Sequence, residues 1–216
     1  MKAILISLMV AAAMCCSAMA EKNNLMEGRS AFELQLGAWV DQSGAESRVL
    51  VSGAKVETSM GGFAGGLSYA YWLEENLAIQ IGFTALVADL ETSIQSIGRV
   101  STTTATVTPI LMGVRYYWPR SSFGAKVRPF VGAAVGTAFG SESNTRVDSE
   151  VIVESNTEVA FAGQAALGID FLLGRHFGLG VRTGYNLLTD FSDPIGGTKN
   201  YSGGLFTFGV SYHFGG

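Results

Sequence analysis

Residues 201–214, YSGGLFTFGVSYHF, alternate between two kinds of side chain. Phe206, Phe208, Val210, Tyr212 and Phe214 share one parity, and Thr207, Gly209, Ser211 and His213 share the other. Side chains point to opposite faces along a strand, so one face here is apolar and aromatic and the other small and polar. The chain that carries this strand opens on an export signal. Lys2 gives the positive start, residues 3–14 the apolar core, and Ala18-Met19-Ala20 the small-x-small pattern before a cut. Residues 1–20 are therefore read as a cleaved secretory signal, with Glu21 beginning the mature chain. As a membrane anchor the run is only marginally long enough. A lipid-modified cysteine would need a small residue before it, where Met14 and Cys15 stand. An exported chain closing on an aromatic-ended alternating strand predicts a transmembrane β-barrel of a bacterial outer membrane.

Composition agrees. After the signal no apolar run reaches the ~18 residues of a spanning helix. Yet only 15% of residues are charged, against about 25% in ordinary soluble domains. Low charge without long apolar runs is what alternating membrane strands require. Both cysteines, Cys15 and Cys16, fall within the signal, so the mature chain has no disulfide and no thiolate site. The formal charge of −4 becomes one unit more negative when Lys2 leaves with the signal. No basic patch points to nucleic acid.

Alternating segments recur at about residues 31–41, 60–73, 76–89, 100–118, 128–140, 158–172, 176–188 and 201–214. The connections alternate long and short. Residues 42–59, 90–99, 141–157 and 189–200 are long, whereas 73–76, 119–127 and 173–175 are short. Outer-membrane barrels have short periplasmic turns and longer extracellular loops. The predicted fold is all-β: an eight-stranded antiparallel up-and-down transmembrane β-barrel over residues 31–216, both ends in the periplasm. Residues 21–30 read as a short polar periplasmic leader, and no second domain is expected.

The apolar parity should face lipid, with Phe32, Leu34, Phe83, Val114, Leu167 and Leu179 among its members. Tyr69, Tyr71, Tyr116, Trp118, Phe171, Phe177, Tyr212 and Phe214 cluster at the strand ends nearest the short turns. Such rings favour the headgroup level, so these eight predict a periplasmic aromatic girdle. The other parity should face the lumen, with Glu33, Gln35, Gln80, Thr84, Arg115, Gln164, Asp170, Arg182, Asn186 and Ser211. A barrel of about eight strands is just wide enough for side chains to fill it. Unpaired charges there would be costly, which predicts a polar plug in which Arg115 and Arg182 bridge Glu33 and Asp170. A satisfied core network is favoured over a gate.

Several strands exceed the 9–11 residues a tilted membrane strand needs. Thr102, Thr104 and Thr106 extend one upward, and Val151-Ile152-Val153-Glu154 alternates within a loop. These read as hairpins above the membrane, whose edges can pair with other chains or merely shield the surface. Signals for catalysis are weak. His176 and His213 fall toward the periplasmic end, away from any serine–carboxylate pair at the outer rim. Asp190 and Asp193 form an unspecific Asp-x-x-Asp. No catalytic, cofactor or metal residue is assigned, and no cofactor is expected.

VTPILMGVRYYWP followed by VRPFVGAAVGTAF is similar to the fourth and fifth strands of the outer membrane protein W family. AFAGQAALGIDFLLGRHFGLGVRTGYN resembles the sixth and seventh strands of that family and of the outer membrane protein A and X type barrels. The resemblance runs from about Ala31 to Phe214. The W-type resemblance would imply a narrow channel for small hydrophobic molecules. Tyr201-Ser202-Gly203-Gly204 stands where that family has Asp-Pro-Trp, and Gly215-Gly216 follow the final aromatic. The X-type would imply protruding hairpins for surface contact, and the A-type a structural barrel with a plugged lumen. The favoured reading is a non-enzymatic, monomeric outer-membrane barrel, porin-like in architecture, with a filled lumen and a structural or surface-interaction role. A narrow hydrophobic channel is the alternative; a lipocalin-like carrier and a lipid enzyme stand behind. Expected partners are outer-membrane lipid and lipopolysaccharide, the envelope assembly machinery, and a surface partner at the extracellular loops.

Overall fold

The computed structural model describes residues 26–41, 47–51, 54–58, 61–95, 99–119, 126–147 and 151–215. The predicted signal at residues 1–20 lies outside them. The strands are β1 (Ser30–Asp41), β2 (Ser47–Val51), β3 (Ala54–Thr58), β4 (Gly61–Glu74), β5 (Leu77–Gln95), β6 (Arg99–Tyr117), β7 (Val127–Val147), β8 (Val151–Leu172), β9 (Phe177–Leu188) and β10 (Gly203–Phe214). Eight of them close an antiparallel barrel in the order β1-β10-β9-β8-β7-β6-β5-β4, and β2 and β3 form a separate hairpin. The seam runs from Ser30↔Phe214 to Asp41↔Gly203. Closure leaves the ring of eight strands no edge where all of them pair.

Alternation places the faces as the sequence predicts. Phe83 (47%), Val114 (47%) and Leu179 (44%) are exposed on the outer wall, whereas Arg115 (2%) and Arg182 (7%) are buried within. A wall this apolar has lipid as its solvent, because bare aliphatic faces of this extent do not stay in water. Among the described residues no helix is long and apolar enough to cross a membrane.

Two outer connections are the raised hairpins that their alternation suggests, and they pair further than the predicted strand limits. Residues 90–99 and 141–157 are mostly strand, because β5 and β6 pair up to Gln95↔Arg99, and β7 and β8 up to Val147↔Val151. Their threonine- and valine-rich alternation continues the pleat beyond the bilayer. A third connection folds inward. Residues 189–202 bury Phe191, Ile195 and Tyr201 against Trp39, Val107 and Leu205 inside the barrel mouth.

Candidate functional site: the layered lumen

The lumen is filled in three layers. Its central layer is built around Glu33 on β1. One carboxylate oxygen, Oε1, lies 2.7 Å from Arg182 Nη2 on β9. The other, Oε2, lies 2.9 Å from Arg115 Nη2 on β6 and accepts a bond from Ser68 Oγ at 3.4 Å. Gln35 Nε2 donates to the same Ser68 hydroxyl at 3.2 Å. Arg115 Nε donates to Gln80 Oε1. The guanidinium carbons of Arg115 and Arg182 lie 5.2 Å and 5.3 Å from the Phe130 ring centroid. Three strands distant in sequence thus converge on one carboxylate. Two cations share one anion through charge-assisted bonds, and an aromatic face supports both.

The glycines opposite make this possible. A Cβ at Gly209 would stand 2.7 Å from Glu33 Oε1, and one at Gly180 would stand 2.8 Å from Asp170 Oδ1. Both positions must lack a side chain for the carboxylates to fit. That requirement is legible in sequence only as glycine on the lumen parity of β9 and β10.

Asp170 lies in the plug but is held by a different contact from the one expected. Among the described residues neither arginine forms an ion pair with it; Tyr117 Oη donates to Asp170 Oδ2 at 2.8 Å instead. The arginines are drawn to Glu33, where both oxygens are reachable, and a phenol meets Asp170. Gln164 Nε2 donates to Asn186 Oδ1 at 2.8 Å, which completes the polar layer. A cavity of about 30 Å³ is lined in part by Gln35, Gln80, Gln164, Arg115 and Arg182.

Below, toward the short turns, lies an aromatic floor. Met26, Trp72, Tyr117 and Phe130 form a buried cluster. Residues 26–29, read from sequence as part of a polar leader, turn into the barrel mouth. Met26 N–H donates to Glu75 Oε2 at 2.8 Å, and Gly28 N–H donates to Trp72 O at 3.0 Å. Arg128 donates to the Glu75 carbonyl and sits 4.5 Å from the Tyr117 ring centroid. His213 hydrogen-bonds Ser211 Oγ at 2.9 Å, with its ring 5.5 Å from Trp72. His176 Nδ1 lies 3.0 Å from the His213 carbonyl. Neither histidine faces the outer rim.

Above, the inward connection makes a cap. Phe191 N–H donates to Lys199 O at 2.8 Å, and Ile195 and Thr198 close a turn across Gly196 and Gly197. Those two glycines have φ of 56° and 78°, which other residues rarely adopt. Gly196 N–H donates to Glu142 Oε2 on β7 at 2.8 Å, and Tyr201 donates to the Ile195 carbonyl. Asp190 accepts from Asn200 Nδ2 at 2.7 Å. No metal-binding cluster occurs among the described residues.

The predicted girdle residues line the outer wall at the short-turn end. Phe32 links Tyr69 at 5.3 Å to Phe214 at 5.5 Å, and Tyr212 stacks on Phe214 at 6.2 Å and meets Phe177 edge-on at 5.4 Å. Phe32 belongs to this band although the sequence reading placed it only on the general lipid face. Trp118 and Phe171 are exposed, while Tyr71 and Tyr116 are half-buried. The interior aromatics were missed. Trp72 and Tyr117 sit on lumen parity beside the girdle residues Tyr71, Tyr116 and Trp118, and the sequence reading assigned them neither to the girdle nor to the lumen.

A closed antiparallel barrel with an apolar outer wall, an aromatic rim and a filled polar interior defines a small integral protein of the bacterial outer membrane. A family model described as the outer membrane protein beta-barrel domain matches residues 6–214. The chain belongs to that family. It is similar in structure to Ail, the attachment invasion locus protein of Yersinia pestis, solved in complex with the heparin analogue sucrose octasulfate. That match has 14% identity and a TM-score of 0.52, covering 88% of this chain and 100% of that one. It is also similar to Neisserial surface protein A, with 13% identity and a TM-score of 0.50, covering 87% of this chain and 98% of that one. At such identities the likeness concerns the fold. A comparison with curated proteins finds no match.

Proposed function

We propose that this protein is a non-conducting, non-enzymatic barrel that serves the outer membrane as a structural element and a surface contact. The observation that carries the reading is the stacking of cap, ion network and aromatic floor along one lumen. A permeating solute would have to displace three buried layers, one of them a carboxylate shared by two arginines. The tall sheet of β5 to β8 supports the second half of the role, since it stands clear of the wall that lipid would cover. The barrel works as a monomer in phospholipid and lipopolysaccharide, delivered there by the envelope assembly machinery. Planar-bilayer recordings of the purified protein test the reading. Closed membranes and no solute flux are expected, and steady solute-dependent conductance would overturn it.

One observation favours the narrow hydrophobic channel as a second reading. The β5–β6 ladder skips from Phe83↔Ile110 to Leu86↔Val107, leaving Thr84 and Ala85 unpaired opposite Thr108 and Pro109. Pro109 has no N–H to donate. The lumen cavity reaches this break, since Phe83, Thr84 and Pro109 are among its lining. Uptake of a small apolar solute into proteoliposomes, abolished by closing the break with Pro109→Val, would establish the channel.

A further inference from the structure

At the short-turn end the described charges divide between two arcs of the rim. Glu74 and Glu75 stand at the β4–β5 turn. Met26 N–H donates to Glu75 Oε2, so Glu27 begins on the same side, and Arg128 also meets Glu75 there. Lys126, Arg175 and Arg29 stand on the other arc. Lys126 precedes β7, and its carbonyl accepts from Leu172 N–H, at the end of β8, at 2.8 Å. Arg175 lies in the turn from β8 to β9. Arg29 precedes β1, whose Ser30 pairs with Phe214 of β10. The cations therefore follow one run of neighbouring strands, from β7 through β8, β9 and β10 to β1.

Backbone bonds hold this arc together. Arg29 Nη2 donates to the Arg175 carbonyl, which ties the segment before β1 to the β8–β9 turn. His213 N–H donates to His176 O at 2.6 Å, and His176 Nδ1 lies 3.0 Å from His213 O, so the same turn is tied to β10. Among the described residues no carboxylate pairs with Lys126, Arg175 or Arg29. Arg29 Nε is buried and bonds to no atom of the described chain. Lys126 and Arg175 are exposed. Positive charge gathered without a counter-ion draws an anion.

The place of the arc decides what carries that anion. On the outer wall beside it stand the exposed girdle rings Phe171, Phe177 and Tyr212, and Leu173 is exposed in the turn itself. A ligand here has hydrocarbon on one side and water on the other. A soluble anion would use the cations alone. An anionic lipid uses both, with its phosphate on the guanidiniums and its chains along the rings. The short turns face the periplasmic leaflet, so the lipid is a phospholipid. The ammonium of a zwitterionic headgroup would lie among like charges, whereas the glycerol of phosphatidylglycerol would not.

We propose that Lys126, Arg175 and Arg29 hold the headgroup of an anionic phospholipid of the periplasmic leaflet, with its acyl chains against the girdle of β8 to β10. The site needs the lipid-facing wall and is indifferent to whether the lumen conducts.

The test uses the protein purified from membranes and placed in nanodiscs of equal parts phosphatidylglycerol and phosphatidylcholine with identical chains. Native mass spectrometry counts the lipids that stay bound. Phosphatidylglycerol is expected to be retained at least about fivefold over phosphatidylcholine. Arg175→Gln and Lys126→Gln should each lower that preference by up to about fivefold, and the pair together should bring it near parity. Both variants leave the Arg29 bond to the Arg175 carbonyl in place, and the gel shift of the folded barrel verifies them. Arg175→Lys keeps the charge and should keep most of the preference. Glu74→Gln, on the opposite arc, should retain lipid as the parent does. In nanodiscs of phosphatidylcholine alone, added glycerol phosphate or a glutamate peptide should not be retained. Equal retention of the two lipids by the parent overturns the proposal, as does an undiminished preference in the folded double variant. Retention of glycerol phosphate or of the peptide as strong as that of phosphatidylglycerol also overturns it, because the arc would then serve soluble anions.

Discussion

Gly209 faces Glu33 across the β1–β10 seam so closely that a Cβ on it would lie 2.7 Å from Glu33 Oε1 and 3.3 Å from Glu33 Cγ. The carboxylate cannot retreat without leaving Arg182. Gly209→Ala should therefore destabilise the barrel by about 1–3 kcal/mol, as overpacking of a filled interior does. Gly204→Ala on the same strand meets nothing within 4 Å and should be close to neutral. Denaturant unfolding in lipid vesicles, followed by the gel shift between folded and unfolded barrel, reads both.

Glu33→Ala strands two buried guanidiniums at once. Removing one partner of a buried pair costs about 3–5 kcal/mol, because the remaining charge is uncompensated. The same unfolding titration should show a loss in this range. Replacing Glu33, Arg115 and Arg182 together by apolar residues of similar size should recover much of it. An unchanged midpoint for Glu33→Ala would show that the network is solvated rather than buried.

Gly140 on β7 lies under the cap, where a Cβ would stand 2.9 Å from Ile195 Cγ1 and 3.0 Å from Phe191 Cζ. Gly140→Leu should push the cap out of the mouth and leave the wall intact. Trp39 reports the change, since its ring is 5.8 Å from Tyr201. With Trp72 and Trp118 replaced by phenylalanine, Trp39 fluorescence should become open to iodide quenching in Gly140→Leu alone.

Val114 is exposed on the outer wall between Ile79 and Ala133 of the neighbouring strands. Val114→Arg should cost about 2–4 kcal/mol if the site lies near the bilayer midplane. Val40→Arg, nearer the rim, should cost less. Equal and negligible costs in vesicles would contradict a lipid-facing wall.

Much of this architecture could be read from alternation. Two parities along β1, β5, β6 and β9 place Phe83 outside and Arg115 inside, because a pleat leaves a side chain only two directions. Glu33, Arg115 and Arg182 stood out as charges on the parity that a narrow barrel must fill. Which carboxylate the arginines choose depends on ring closure and on small residues opposite, and neither is local. Tyr117 hid because its neighbours Tyr116 and Trp118 belong to the girdle. Phe191 and Ile195 sit in a connection without period, so no pattern marks them as interior, whereas Tyr201 shares the lumen parity of Thr207 and Ser211. Met26 is one of only two apolar residues, with Leu25, in an otherwise polar stretch, and its burial follows only from the size of the opening it enters.

The carboxylate on the first wall strand answers to guanidiniums delivered much later in translation, on β6 and β9. A partial sheet that slid into hydrocarbon before circularising would carry bare ions into oil. The clasp therefore makes premature insertion unfavourable and rewards the finished cylinder. It acts as a checkpoint on biogenesis, written into the molecule that is being made.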